Sequence, residues 1–130
     1  MKPTVLIIED NEQNRYLATF LLEKHGYHAV SATDGKQGIA TAVDLVPNLI
    51  LLDIQLPLMD GYDVARALRE IQPLRGTPII AVTSHAMVGD REKCLAAGCN
   101  GYIEKPINPE TFAAEIGNYL KSPAPNQGTP

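Results

Sequence analysis

Long hydrophobic runs and basic clusters are both absent from this 130-residue chain. No apolar stretch approaches the roughly 20 residues that a membrane-spanning helix needs. The first apolar run, Thr4–Ile8, is too short for the core of a secretion signal. A net charge of −4 without a basic run argues against nucleic-acid binding. We therefore expect a cytoplasmic protein that binds neither nucleic acid nor membrane.

The sequence is also poor in cysteine and histidine. Its two cysteines, Cys94 and Cys99, do not form a Cys-x-x-Cys pair, so we interpret them as reduced, mostly buried, small hydrophobic residues. The three histidines, His25, His28 and His85, lie too far apart in the pattern to share a metal ion. A Gly-x-Gly-x-x-Gly motif for a dinucleotide is missing after the first apolar run.

Short apolar runs that alternate with helical patterns dominate what is present. Five runs predict strands, at 4–8, 28–32, 49–53, 78–82 and 101–104. Helices are predicted over about 14–24, 35–45, the residues after Asp60, 88–97 and 109–121. In the second helix we expect Ile39, Ala42 and Val43 to face the core. This alternation predicts one α/β domain over 1–121, with a doubly wound parallel sheet, followed by a disordered tail at 122–130.

Charged or hydroxyl side chains follow four of the five predicted strands. Glu9 and Asp10 follow the first strand, Asp53 ends the third, Thr83 follows the fourth and Lys105 follows the fifth. Because the carboxyl ends of parallel strands meet at one edge of the sheet, we expect these side chains to lie together. Each residue alone also has an ordinary interpretation, as a helix cap, a strand end or a solvated turn residue.

Three carboxylates at one edge would repel one another and raise each other's pKa values. A bound Mg²⁺ ion would remove the conflict, because it prefers hard oxygen ligands. Lys105 supplies a positive charge for an anion and Thr83 supplies a hydroxyl donor. Together these groups predict a site that handles a phosphoryl group, with a carboxylate as the nucleophile and an acyl phosphate as the product.

At these residues the chain resembles the receiver (response-regulator) domains of two-component signalling, over about residues 3 to 121. The resemblance is carried by 5–10 (VLIIED), 51–61 (LLDIQLPLMDG), 81–83 (AVT) and 102–106 (YIEKP). It implies a flavodoxin-like fold with five parallel strands in the order 2-1-3-4-5 and five helices.

The resemblance also implies a role for each acidic residue. Asp53 would be the phosphoacceptor. Asp10 and Asp53 would bind Mg²⁺ directly, together with the backbone carbonyl of Gln55. Glu9 would act on the ion through water.

Further roles by resemblance concern the phosphoryl group and the switch. Thr83 and Lys105 would bind the phosphoryl oxygens, and the Lys105–Pro106 bond would be cis. Tyr102 would change its rotamer together with Thr83 on phosphorylation. Ser84 stands where the family usually has a smaller residue. We expect three residues to tune the lifetime of the phosphoryl group, namely Gln55, Ser84 and His85.

The partners implied are a histidine kinase or a histidine phosphotransfer protein as donor, and a downstream target protein. We expect the target on a surface made of about 85 to 97, 102 to 104 and 108 to 115, and a protein that is a monomer or a phosphorylation-dependent dimer. No output domain follows the last predicted helix, so the chain resembles stand-alone regulators of the DivK or chemotaxis kind. A receiver fragment of a hybrid histidine kinase is the alternative.

A different class of function is a small Mg²⁺-dependent phosphohydrolase that works through an aspartyl phosphate. Hydrolases of that sort need a second aspartate, as acid and base, two residues after the nucleophile. Gln55 occupies that position here. We therefore expect no enzyme activity beyond the domain's own phosphoryl transfer and a slow autodephosphorylation.

Overall fold

The computed structural model describes residues 2–84 and 88–121 as a five-stranded sheet between two layers of helices. The strands are β1 (Thr4–Ile8), β2 (His28–Ala32), β3 (Leu49–Asp53), β4 (Ile79–Thr83) and β5 (Gly101–Glu104). The helices are α1 (Glu12–Lys24), α2 (Gly35–Leu45), α3 (Gly61–Glu70), α4 (Val88–Ala96) and α5 (Phe112–Lys121), with a 3₁₀ turn at Gln72–Leu74. Two predictions lie outside the described residues: the disordered tail at 122–130 and the role of His85. None of the helices in the described ranges is long and apolar enough to cross a membrane.

All neighbouring strands are parallel, and their order is β2-β1-β3-β4-β5, as predicted. The register pairs Ile8 with Leu52, Asp53 with Val82, and Thr83 with Glu104. The carboxyl ends of the four strands that carry the predicted site residues are therefore level with one another.

The core lies on both faces of the sheet, because the three central strands, β1, β3 and β4, are apolar along most of their length. Every residue of β3 and β4 is buried, which is typical of central strands in a parallel sheet. Alternate side chains of these strands point to opposite faces. On one face they pack against α2, α3 and α4, and on the other against α1 and α5. Val64 of α3 and Phe112 of α5 are fully buried against these faces.

Three helices begin at the short polar residues that precede them. The side chains of Asn11, Asp34 and Asp60 accept hydrogen bonds from backbone N–H groups in the first turns of α1, α2 and α3. The cap of α1 is Asn11, so the interpretation of Glu9 and Asp10 as the helix cap is wrong, and their carboxylates serve another purpose.

The predicted inner face of α2 is partly wrong, since Val43 is half exposed. The helix is buried through Gly35, Gly38 and Ala42. Gly35 lies against Val64 of α3 and Met59, and Gly38 lies against Ile8 of β1. A Cβ added to Gly38 would lie 2.5 Å from the Cδ1 atom of Ile8. The small residues allow a close approach, and the larger Val43 therefore lies outside the contact.

Helix ends differ slightly from the sequence predictions. Helix α5 begins at Phe112 rather than at residue 109, because 109–111 form a turn in which the carbonyl of Asn108 accepts the N–H of Phe112 at 3.0 Å. Helix α1 begins at Glu12, two residues earlier than predicted. The interpretation of Cys94 and Cys99 as free, buried residues is confirmed.

Candidate functional site

The loop after β1 holds two of the acidic residues in fixed positions. The N–H of Asn11 donates to Oε2 of Glu9 at 3.1 Å. The guanidinium of Arg15, in the first turns of α1, donates to the carbonyl of Glu9 at 3.1 Å and to that of Asp10 at 3.0 Å. Glu9 is buried, whereas Asp10 is exposed at the edge of the sheet. The start of α1 thus fixes the backbone on which both carboxylates stand.

Asp53 ends β3 with a side chain that is almost inaccessible, at 2% exposure. Its Oδ1 atom accepts the N–H of Gln55 at 2.9 Å, and its Oδ2 atom lies 3.4 Å from Nζ of Lys105. The start of α3 packs directly behind it, since a Cβ added to Gly61 would lie 2.4 Å from the Cα atom of Ile54 and 2.9 Å from the carbonyl oxygen of Asp53. The carboxylate is therefore oriented by the backbone on one side and by a cation on the other.

Lys105 follows β5 and lies between two of the carboxylates. Its Nζ atom is 3.1 Å from Oε1 of Glu9 and 3.4 Å from Oδ2 of Asp53, and its side chain is 17% exposed. Its backbone N–H donates to the carbonyl of Thr83 at 2.8 Å, and the Lys105–Pro106 bond is cis, as predicted. The alternative of a solvated turn lysine does not fit these contacts.

One ammonium does not neutralise the acidic cluster. Glu9, Asp10 and Asp53 each offer a carboxylate oxygen, and these oxygens lie within 4.8 Å of one another. Burial raises the pKa of Glu9, and so do the negative charge of Asp53 and the hydrogen bond between the two side chains; the Asn11 N–H and Lys105 act in the opposite direction. The predicted convergence of three carboxylates is thus confirmed, and the oxygen donors fit a hard divalent cation.

Thr83 and Ser84 stand on the other side of Asp53, at the end of β4. Thr83 is buried. The hydroxyl of Ser84 donates to Oε1 of Gln55 at 2.7 Å, which joins the loops after β3 and β4 beside Asp53. Tyr102 is partly buried on β5, where it pairs with Ala81, and it lines a cavity of about 350 Å³ between α4 and α5. The structure therefore places Tyr102 on the strand next to Thr83 and away from the carboxylates.

Comparison with known proteins assigns the family. Residues 5–117 match the family model described as the response regulator receiver domain. The chain belongs to this family. Receiver domains are signalling modules of two-component systems, and this domain has the fold and the acidic cluster described above.

Curated relatives of similar length are found among the polar-differentiation response regulators DivK. The proteins of Brucella ovis and Brucella anthropi are each 42% identical to this receiver domain over 120 residues, which are 92% of this chain and 98% of theirs.

Solved structures agree with the assignment. The chemotaxis response regulator CheY4 of Vibrio cholerae superposes with a TM-score of 0.87 at 27% identity, covering 91% of this chain and 98% of its own. The receiver domain of the sensor histidine kinase PA1611 of Pseudomonas aeruginosa superposes with a TM-score of 0.86 at 34% identity, covering 94% and 100%. That structure has a magnesium ion coordinated in its active-site cleft.

Three positions in and around the site were not found by sequence reasoning: Arg15, Gly61 and Leu58. Arg15 could have been found, since side chains in a first helical turn point back towards the preceding loop. The close approach at Gly61 depends on tertiary packing and has no local signal. Leu58 has the sequence context of an ordinary turn residue, between Pro57 and Met59.

Proposed function

We propose that this receiver domain is a phosphorylation-switched binding module in which Asp53 accepts a phosphoryl group from a phosphohistidine. The observation that carries the proposal is the setting of the Asp53 carboxylate. It is buried at the carboxyl edge of the sheet, its Oδ2 atom lies 3.4 Å from an ammonium, and two more carboxylates lie beside it. A carboxylate held between a cation and a cluster of oxygen ligands suits nucleophilic attack on a phosphoryl group.

The proposed transfer is a displacement at phosphorus. A carboxylate oxygen of Asp53 forms the new P–O bond while the P–N bond to the donor imidazole breaks. The electron pair of the broken bond stays on the imidazole nitrogen, which then takes up a proton. The N–H of Gln55 holds the carboxylate in position, and Lys105 offsets the negative charge that gathers around it.

We propose Mg²⁺ as the cofactor, held directly by Asp10, Asp53 and the backbone carbonyl of Gln55, and by Glu9 through water. The donor set supports this, because three carboxylates converge there and offer hard oxygen ligands, while the ammonium of Lys105 contacts only Glu9 and Asp53. Bound Mg²⁺ would supply positive charge to the phosphoryl oxygens. When no cation is bound, burial and the nearby negative charge of Asp53 raise the pKa of Glu9.

The signal is proposed to leave the site through Thr83 and Tyr102. Phosphorylation adds about −1.5 to −2 charges and strong hydrogen-bond acceptors at Asp53. Thr83 would donate to these oxygens, with Lys105, and Tyr102 would turn into the space behind it. The target surface is proposed to lie on the described parts of 85–97, on 102–104 and on 108–115. The phosphoryl donor would be a histidine kinase or a histidine phosphotransfer protein, and the receiver domain would act in the cytoplasm.

The lifetime of the phosphoryl group is proposed to be long compared with the turnover of a phosphohydrolase. Gln55 carries an amide where such an enzyme would need an acid and base. Its Oε1 atom accepts a hydrogen bond from the Ser84 hydroxyl at 2.7 Å, and this bond holds the amide beside Asp53. We therefore propose Gln55, Ser84 and His85 as the residues that set access of water to the acyl phosphate.

Intact-mass measurement tests the proposal. The protein is incubated with phosphoramidate, with and without Mg²⁺, and compared with Asp53→Asn. We expect the mass of one phosphoryl group to be added only to the native protein and only with Mg²⁺. Full labelling of Asp53→Asn would overturn the assignment of the phosphoacceptor.

A further inference from the structure

Leu58 is the most exposed large hydrophobic side chain in the described part of the chain, with 96% of its surface accessible. Its backbone has a φ of 69°, in the left-handed region. Most residues with a Cβ atom are disfavoured in this region. Glycine, which has none, adopts it readily, and asparagine does so more often than other residues. A leucine at this position gains neither burial nor a relaxed backbone, so the free domain has no structural use for its side chain.

The position of Leu58 relative to Asp53 is fixed by the loop between β3 and α3. The N–H of Met59 donates to the carbonyl of Pro57 at 2.7 Å, which closes a tight turn around Leu58. The N–H of Gly61 donates to the carbonyl of Ile54 at 3.2 Å. The first bond closes the turn within the loop, and the second ties the end of the loop to the residue that follows β3. Leu58 is therefore presented on a hydrogen-bonded loop at the carboxyl edge of the sheet, five residues after Asp53.

A groove of about 280 Å³ lies beside this side chain, lined by Asp34, Gly35, Lys36, Leu58 and Met59. Gly35 is buried, and a Cβ added to it would lie 3.2 Å from Sδ of Met59, so the start of α2 packs directly on the loop. Leu58 and Met59 supply apolar surface, and Lys36 and Asp34 supply one charge of each sign. A single exposed apolar residue is normal on a protein surface. Leu58 is instead part of a contiguous patch that includes the groove.

The site itself indicates which molecule covers this patch. Asp53 is 2% exposed, so a phosphohistidine reaches it only if the donor protein lies against the carboxyl edge of the sheet. A donor in that position covers the loop that carries Leu58. A few side chains that fill well-packed, desolvated pockets of the partner carry most of the binding energy of an interface. A segment that is already ordered in the free protein also loses less conformational entropy on docking.

We propose that Leu58 anchors the phosphohistidine-bearing donor protein, by entering an apolar pocket of the donor next to its phosphohistidine. The proposal rests on the proposed function, and it adds a residue that determines which donor proteins are accepted. The cost of the left-handed backbone is explained by this role, since the turn directs the side chain away from the domain and towards the incoming surface.

The test compares a protein donor with a small one. Histidine kinase cores of the source organism are autophosphorylated with radiolabelled ATP, and the core that labels the native protein fastest is used as the probe. We expect Leu58→Asn and Leu58→Gly to slow this transfer by about tenfold or more at subsaturating concentration, and Leu58→Met to keep most of the rate. Labelling by phosphoramidate with Mg²⁺ should be the same in all four proteins.

Val46→Gly is the matched control. Val46 also has a positive φ, of 45°, and 47% of its surface is exposed, but it lies between α2 and β3 at the opposite edge of the sheet. The substitution relaxes the backbone and removes an exposed apolar side chain, as Leu58→Gly does. We expect it to leave transfer from the kinase core unchanged.

Several results would overturn the proposal. Native transfer rates in Leu58→Asn would show that the side chain is not an anchor. An equal loss with phosphoramidate would place the defect in the chemistry. Sedimentation that reveals a dimer dependent on Leu58 would assign the patch to a second copy of the domain. If phosphoramidate labels the native protein but neither a kinase core nor a histidine phosphotransfer protein does, the donor class is wrong. If phosphoramidate also fails to label it, the proposed function fails first.

Discussion

Glu9 is the residue at which the charge conflict of the site is strongest. It is buried, it lies beside Asp53, and the single ammonium of Lys105 at 3.1 Å is shared between them. Its pKa is raised chiefly by burial and then by the charge of Asp53. A carboxylate in this setting lowers the stability of the folded domain when it is ionised.

Replacing Glu9 with glutamine should therefore stabilise the domain in metal-free buffer. Because the folded-state pKa lies above the ordinary value of 4.5, the protonated form favours folding below that pH, and this contribution is lost as the pH rises through the folded pKa. In urea unfolding from about pH 4 to about pH 8, the free energy of unfolding of the native protein should fall relative to that of Glu9→Gln. A difference that does not change with pH would contradict this account of Glu9.

Asp10 and Glu9 should differ in their contribution to Mg²⁺ binding. A direct carboxylate ligand contributes more than one that acts through water, so Asp10→Asn should weaken binding more than Glu9→Gln. Titration with Mg²⁺, followed by the shift in thermal midpoint, measures both. Equal losses in the two variants would mean that the proposed ligand roles are wrong.

At the scale of the elements, the site depends on how closely α3 begins behind β3. Gly61 is the first residue of α3, and the space for a side chain is filled by the backbone of Ile54 and Asp53. Backbone atoms cannot rotate away as a side chain would. The end of β3 and the start of α3 therefore form one unit, and the orientation of Asp53 depends on it.

Gly61→Ala tests this dependence. The added methyl group would lie 2.4 Å from the Cα atom of Ile54, so the loop must shift, at a cost of roughly 1–3 kcal/mol. Urea unfolding should show the lower free energy of unfolding, and phosphoramidate labelling of Asp53 should slow. Gly89→Ala is the control, since no atom lies within 4 Å of its added Cβ.

The elements also show what the sequence could reveal. The predicted bounds of all five strands agree with the structure within a residue. For β1, β3 and β4 the reason is a nearly continuous apolar run, which is typical of strands buried on both faces. The convergence of Glu9, Asp53 and Lys105 followed from the parallel topology alone. The outer position of Val43 did not, because a contact face of glycine and alanine looks weaker in sequence than the large residue beside it. The φ of Leu58 has no local signal at all.

For the whole molecule, the proposed function requires coupling between Asp53 and a partner surface on α4, β5 and α5. Thr83 and Tyr102 lie on adjacent strands, and Tyr102 borders the cavity between α4 and α5. Phosphorylation shifts the equilibrium between two conformations of the partner surface only by as much as it stabilises one of them over the other. Partner binding must then favour the phosphorylated form by the same factor.

Thr83→Ala should separate phosphorylation from its consequence. The variant should still be labelled at Asp53, yet lose most of the gain in target affinity on phosphorylation, because the hydroxyl that would donate to the phosphoryl group is gone. The measurement is affinity for a target protein with and without beryllofluoride. An unchanged gain would mean that Thr83 does not carry the signal, and the role of Tyr102 would fall with it.

The central claim is that one carboxylate, at position 53, becomes an acyl phosphate. Borohydride reduces an acyl phosphate to an alcohol, so it marks the modified aspartate as homoserine. The protein is treated with phosphoramidate and Mg²⁺, reduced and mapped by peptide mass spectrometry. We predict homoserine at position 53, lost when Mg²⁺ is withheld. Homoserine at position 10, or label that survives reduction on a histidine, would contradict the account.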